Sequence, residues 1–426
     1  MVKRGLVALV ASALVCATGG GCTGDDGDGP TRITVMVSGD PAEIDAYRAV
    51  VAGFDDSQDD VDADLLPFAE RDELIARLST SIAGGQPPDL FLMNYRYYGQ
   101  FAARGALEPV GPYLERSAFD EDDFFDTAMT PFRWDGEQMC LPQNVSSLVV
   151  YYNADLFRSA GVSPPSNGWT WDEMVAAAGA LTTDRDGDGS VDVYGLGVDP
   201  ELIRVAPLIW SNGGTLVDDE ASPIGFAFDP PAIEAIQRFF TLRTAGVTPT
   251  DEEAEAEDLE SRFLHGRLAM LMESRRVVPT FRTITGFAWD VAGLPIMDAP
   301  VSVLHSDAYC ITAASDAKDA SWRFLEFALG PEGQRIAAAS GRTVPSLRSV
   351  AASDAFLDPG ADPAHAEVFL EQIPTLRSVP VISTWPEIED TANALLEEAY
   401  YGGGRALEVS LEVTVATRDA FARAEG

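Results

Sequence analysis

The chain has 426 residues, 46% of them hydrophobic, and carries 68 acidic against 29 basic residues for a formal net charge of −39. That length exceeds one ordinary core and points to two or three domains. So acidic a surface repels phosphate backbones and anionic headgroups, which excludes nucleic-acid binding, and it reads as a solubilising coat or as adaptation to a salty or calcium-rich medium.

The N-terminus opens with Lys3 and Arg4, followed by an apolar run from Leu6 to about Ala17 and small residues up to Cys22. This is the pattern of a secretory signal, too short for a conventional membrane span. Residues 1–21 are expected to be removed. Cys22, after three glycines, resembles a bacterial lipoprotein cleavage site, although Gly19 stands where that site usually has leucine. Cleavage near Ala17 to give a free protein is the alternative. Residues 22–31 read as a flexible polar tether behind a lipidated Cys22.

The run "TRITVMVSG" is rich in β-branched residues and predicts a strand. Ile44, Tyr47, Val50, Val51 and Phe54 recur at helical spacing over 41–54. "DELIARLSTSIAGG" predicts a second helix closed by glycines, and "PPDLFLMN" a buried strand. Strand, helix and strand at this spacing give an α/β unit with a parallel sheet. A helix is expected over 96–105, and strand over 137–152 around Pro142. "WTWDEMVAAAGALTT" predicts a helix capped by Thr170, with Trp171, Met174, Val175 and Leu181 inward.

The segment "TTDRDGDGSVDVYG" follows directly. Asp184, Asp186, Asp188 and Asp192 take positions one, three, five and nine of a twelve-residue calcium loop. Gly189 takes position six and Ser190 offers its carbonyl at position seven. Position twelve should be a bidentate glutamate, and it is Gly195. The loop reads as a structural calcium staple or as a plain acidic turn. A further helix spans "PAIEAIQRFFTLRTAG", "LAMLMES" and "DAYCITAAS" are strand-like, and a helix from 320 breaks near Gly330–Pro331. The remainder reads as largely helical, without internal repeats.

Several ordered pieces carry a family resemblance. "DGEQMCLPQN", "LVVYYNADLFRSAGVSPP" and "WTWDEM" resemble, in order and spacing, the extracellular solute-binding proteins of carbohydrate ABC importers, the maltose-binding type. "GGQPPDLF", "SNGGTLVDD", "FLHGRLAMLMES" and "ASWRFLEFALGPEGQRIAAASGRTVP" extend the likeness over essentially the whole mature chain. One departure concerns the ligand: the family often has Gly-x-Trp where "MESRR" puts Ser274, Arg275 and Arg276.

The resemblance implies a two-lobed α/β fold of the periplasmic-binding-protein type. Each lobe would be a sheet flanked by helices, joined by hinge crossings, with ligand held between the lobes. Lobe one would hold 32–140 plus 311–375, and lobe two 141–310 plus 376–426. It also implies a lipid-anchored, extracytoplasmic and monomeric carrier that passes a sugar or oligosaccharide to importer membrane subunits. Such a carrier touches the membrane only through its lipid and uses no organic cofactor.

Sugars want aromatic platforms and fixed amide, carboxylate and guanidinium partners. Loop positions that face the cleft in such proteins fall here on Asn94, Tyr95, Asn144, Trp210, Asn212 and Glu273. Arg276, His305, Asp307, Arg342 and Trp385 complete the expected ligand set. Trp169, Trp171 and Trp322 lie in helix patterns and are assigned to packing, while Trp134 and Trp289 are undecided. Cys140 and Cys310 fall on neighbouring crossings of such a fold, which implies a disulfide there, with two buried thiols as the alternative. Rival readings are a polyamine, peptide or other solute binder of the same fold, or a secreted carbohydrate-active enzyme. No nucleophile motif surrounds His265, His305 or His365, so no catalytic residue is assigned.

Overall fold

The β-branched run forms β1 (Thr31–Ser38), which lies parallel to β2 (Val61–Phe68) and β3 (Leu90–Asn94) in a computed structural model that describes residues 29–424 apart from 118. The expected signal segment and Cys22 lie outside those residues. Between β1 and β2 runs α1 (Pro41–Ser57). Asp40 accepts the Glu43 N–H at 2.9 Å, and Pro41 takes the first helical position, where no N–H is needed. Ile44, Tyr47, Val50, Val51 and Phe54 are all buried, as the spacing predicts. Phe54 meets Phe324 and Phe327 at 5.3 and 5.8 Å, which docks α1 on α7 (Lys318–Ala328). Burial of each such ring contributes about 1.5–3 kcal/mol.

β2 was not among the expected strands. Asp62, Asp64 and Pro67 dilute its β pattern, and only Val61 and Ala63 are buried. Such a sequence is tolerated because β2 is an edge strand, where proline and charge are at home. α2 (Arg71–Ala83) and α3 (Tyr95–Ala102) follow β2 and β3, so the helix expected to reach 105 ends three residues earlier.

Next come β4 (Cys140–Pro142) and β5 (Ser146–Asn153), then α4 (Trp171–Leu181), whose Thr170 and Glu173 form a capping box. α5 (Leu202–Ser211) and α6 (Pro230–Thr244) precede the strands β6 (Met270–Ser274), β7 (Trp289–Ala292), β8 (Ser302–His305) and β9 (Asp307–Ile311). After α7 the chain breaks at Gly330, as expected, and resumes as α8 (Pro331–Ala338). α9 (Val368–Glu371), β10 (Leu376–Arg377), α10 (Trp385–Gly402) and α11 (Ala406–Ala422) close the chain.

Two sheets result. The first has strand order β2-β1-β3-β9-β4, with β9 antiparallel to both its neighbours. The second has order β10-β8-β5-β6, with β7 also on β5. The chain therefore crosses between lobes at 143–145 and again at Ser306. Val145 donates to Val344 at 2.9 Å, which brings a third segment alongside. The lobe boundaries expected at 140, 310 and 375 shift accordingly. Pro142 and Asp307 still belong to the first sheet. α9 packs on the second, where Phe369 lies 6.5 Å from Tyr151, so 368–375 joins lobe two.

Cys140 and Cys310 are register partners on β4 and β9 and are joined, with Cα atoms 4.4 Å apart. The bond ties the roots of two crossings together within lobe one. Among the described residues, no helix is long and apolar enough to cross a membrane.

Candidate functional site

The ends of β1, β2 and β3, the two crossings and the end of β6 all open on one cavity of about 660 Å³. This is where side chains converge in open α/β sheets, beyond the carboxyl ends of parallel strands. Asp40 and Glu43 enter from the start of α1, and Glu70, Arg71 and Asp72 from the start of α2. Asn94 and Arg96 come from the start of α3, with the Asn94 side-chain oxygen Oδ1 capping that helix by accepting the Arg96 N–H at 3.2 Å. Asn144, Ser146, His305 and Asp307 come from the crossings, Ser274 and Arg276 from lobe two, and Arg342 and Thr343 from beyond α8.

The crossings are fastened to each other at this point. Asn144 donates its amide to the Asp307 carboxylate at 3.2 Å and accepts the Asp307 N–H at 3.1 Å. Ser306 donates to the Asn144 carbonyl at 2.7 Å. A hinge held by side-chain amides rather than a long ladder can pivot while keeping its partners.

The charged groups are mostly paired before any ligand arrives. Arg342 reaches Asp40, meets Glu43 at 2.8 Å and donates to the Arg276 carbonyl at 3.0 Å. Arg276 meets Glu260 and Glu273 at 2.9 and 3.1 Å. Arg96, on lobe one, is paired with the buried Glu389 of α10, an ion pair between the lobes. Among the described residues Arg71 bonds only the Tyr97 hydroxyl, at 3.2 Å, and lies over its ring at 4.8 Å.

Titration follows from these contacts. Burial pushes Glu273 up, but Arg204 at 2.7 Å and Arg276 overcome it and hold the carboxyl well below the usual range. Burial raises Glu43 despite Arg342, and the nearby Asp307 charge adds to the rise. Burial, helped by Arg96, lowers His305 to about 3, so the imidazole is neutral at neutral pH.

Of the eleven expected ligand residues, Asn94, Asn144, Arg276, His305, Asp307 and Arg342 line the cavity. Glu273 stands behind it, holding Arg204 and Arg276. Four lie elsewhere. Trp385 is fully buried against Phe226 and Phe421, at 6.2 and 6.5 Å, because it begins α10 on that helix's inner face. Trp210 is buried with the Arg377 guanidinium 4.7 Å over its ring. Asn212 ties the end of α5 to the Pro231 carbonyl at 2.8 Å. Tyr95 is buried in lobe one, its hydroxyl accepting the Val379 N–H at 3.3 Å.

Trp134 and Trp289 are also core. Besides the His305 imidazole, the sole aromatic ring lining the cavity, among the described residues, is Tyr47, whose hydroxyl donates to Glu43 at 2.7 Å. Sequence reasoning missed the α1 and α2 entries to the cavity. The rule that loops after parallel strands face the ligand would have found Asp40 and Glu43, while the unread β2 hid Glu70, Arg71 and Asp72.

The aspartate loop lies apart from this cavity. Carboxylate oxygens of Asp184, Asp186 and Asp188 come within 4.8 Å of one another. Asp184 accepts the N–H groups of Gly187 and Gly189 at 2.7 and 2.9 Å, which lowers its pKa. Asp192 is not in that trio; its carboxylate takes the Arg185 N–H at 2.6 Å. Ser190 donates its N–H to Asp188 at 2.7 Å. Nor can position twelve hold a ligand, since a Cβ on Gly195 would lie 2.0 Å from the Ala178 carbonyl oxygen. Calcium takes six to eight oxygens, so this loop could hold it only with water completing the shell.

The model of the family described as "Bacterial extracellular solute-binding protein" matches residues 49–366. A putative binding protein of Brucella abortus is 25% identical over 363 residues, covering 83% of each chain. A maltotriose-binding protein of Pyrococcus abyssi is 24% identical over 311 residues, 71% of this chain and 64% of that protein. An ABC substrate-binding protein of Listeria monocytogenes, solved in complex with cycloalternan, superposes with a TM-score of 0.83 at 24% identity over 92% of this chain and 99% of that one.

Proposed function

The chain belongs to the bacterial extracellular solute-binding protein family, and we propose that it captures a carbohydrate in the cavity between its lobes and delivers it to an ABC importer. The observation that carries this reading is the cavity's position and lining. It straddles the hinge, and both lobes contribute hydrogen-bonding groups already fixed by their own partners. Fixed amide, carboxylate and guanidinium groups lose little freedom on meeting a ring of hydroxyls. The cavity is large enough for a small oligosaccharide. Relatives whose names or crystals carry maltotriose and cycloalternan support the same ligand class.

Closure of the lobes on the sugar is the signal an importer would read. Cys22, lipidated after signal removal, would keep the carrier at the outer face of the membrane. The aspartate loop would act as a structural calcium staple away from the ligand.

A thermal-shift and calorimetric panel of mono- and oligosaccharides tests the reading. At a hundredfold excess over Kd, a true ligand should stabilise the protein by about 2.7 kcal/mol. Binding of a polyamine or peptide with no response to any sugar would overturn it, and turnover of a sugar would move it to an enzyme. Calcium added to chelated protein should raise the melting temperature if the loop binds it. Mass spectrometry of the membrane fraction should find acyl chains on Cys22.

A further inference from the structure

Resting on that carbohydrate reading, we infer that the sugar held here carries a basic nitrogen: an amino sugar with a free ammonium group rather than a neutral or phosphorylated one.

Charges left over inside the cavity point to this ligand. Arg342 is shared by Asp40 and Glu43. Arg96 is taken by Glu389, and Arg276 by Glu260 and Glu273. Among the arginines that line the cavity, only Arg71 has no carboxylate partner. On the acidic side, Glu70, Asp72 and Asp307 line the same cavity without a basic partner among the described residues. Among the described residues, the Asp307 carboxylate takes only the Asn144 amide, at 3.2 Å. Among the described residues no lysine lines the cavity, and half-buried His305 contributes no charge at neutral pH. A solute entering therefore meets more unpaired negative charge than positive.

Two further features sharpen this. Burial raises the Glu43 carboxyl and the nearby Asp307 charge adds to the rise, so like charges face each other at the cavity wall. A ligand ammonium hydrogen-bonded to Asp307 relieves that repulsion, whereas a phosphate or uronate increases it. The cavity also lacks an open aromatic face, since Tyr47 is 2% exposed and its hydroxyl is spent on Glu43. Without a stacking platform, selectivity has to come from polar and ionic contacts.

Calorimetry on the purified protein compares three disaccharides of similar size: one with free amines, its N-acetylated counterpart and an all-hydroxyl one. A phosphorylated sugar and spermidine complete the set. Replacing a neutral hydrogen bond by a charge-assisted one predicts about tenfold tighter binding of the free amine. That advantage should shrink with added salt and vanish as pH rises through the amine's own pKa, with neutral-sugar affinity flat. Asp307→Asn should collapse the ratio between amine and N-acetyl ligands; if that variant fails to fold, the pH and salt series on the native protein carry the same test. Equal or tighter binding of the neutral or phosphorylated sugars would overturn the inference and leave the carbohydrate reading standing. Binding of spermidine with no sugar bound would overturn both.

Discussion

His305 makes the stability of this protein acid-sensitive in a way that one substitution should remove. The ring sits at the second crossing, lines the cavity, and has its Nε2 buried without a partner. Burial holds its pKa at about 3 against the usual 6.5. The unfolded chain binds a proton below pH 6.5 that the folded chain refuses until about pH 3. More protons on the unfolded side mean that stability falls as pH falls through this window. The slope approaches about 1.4 kcal/mol per pH unit, so moving from pH 6.5 to 4.5 should cost about 2 kcal/mol through this residue alone. His305 keeps part of its surface on the cavity, so water screening trims that figure rather than adding to it. Urea unfolding from pH 7.5 to 4.5 on the wild type and His305→Gln isolates the effect, because carboxylates elsewhere titrate alike in both. The difference in unfolding free energy between the two should shift toward the variant as pH falls. Parallel curves over the whole window would refute the reasoning and place a charged imidazole in the folded state.

Two other perturbations act on the ties between and within lobes. Removing Glu389 by Glu389→Ala leaves the mostly buried Arg96 without a counter-charge and should destabilise by up to about 3 kcal/mol, while Arg96→Met with Glu389→Leu should recover most of that in denaturant midpoints. Replacing both Cys140 and Cys310 by serine opens a loop of sequence separation 170, for which the chain-entropy account expects a loss of up to about 5 kcal/mol; a calorimetric melt unchanged from the oxidised protein would contradict it.

The fold was legible where the sequence kept a single period. α1 shows this best: five apolar residues at helical spacing, an aspartate cap and a proline at its start all agree, and all five are buried. β2 was illegible because an edge strand needs only one half-buried face, so Asp62, Asp64 and Pro67 could replace the usual pattern without loss of pairing. Losing β2 also lost the loop behind it. That is why Arg71 and its acidic neighbours went unread although they line the cavity.

The aromatic expectation failed for a different reason. Trp210 and Trp385 stand near turns in the sequence, where a binding platform would be sought, but each sits at a helix end whose inner face points to the core. A tryptophan's large apolar surface makes burial favourable wherever the backbone allows it, and sequence position does not say which way the Cβ faces. Short polar residues on the crossings behave in the opposite way. Asn144 and Asp307 have little apolar surface to hide, and their place between two lobes leaves them only each other and the cavity as partners. Hence six polar or charged positions from the sequence-derived ligand set line the cavity and neither tryptophan does. For a two-lobed carrier, the residues most readable as cavity lining are therefore those that cannot pay for burial unaided, and the ligand's chemistry should be sought in their unspent charges.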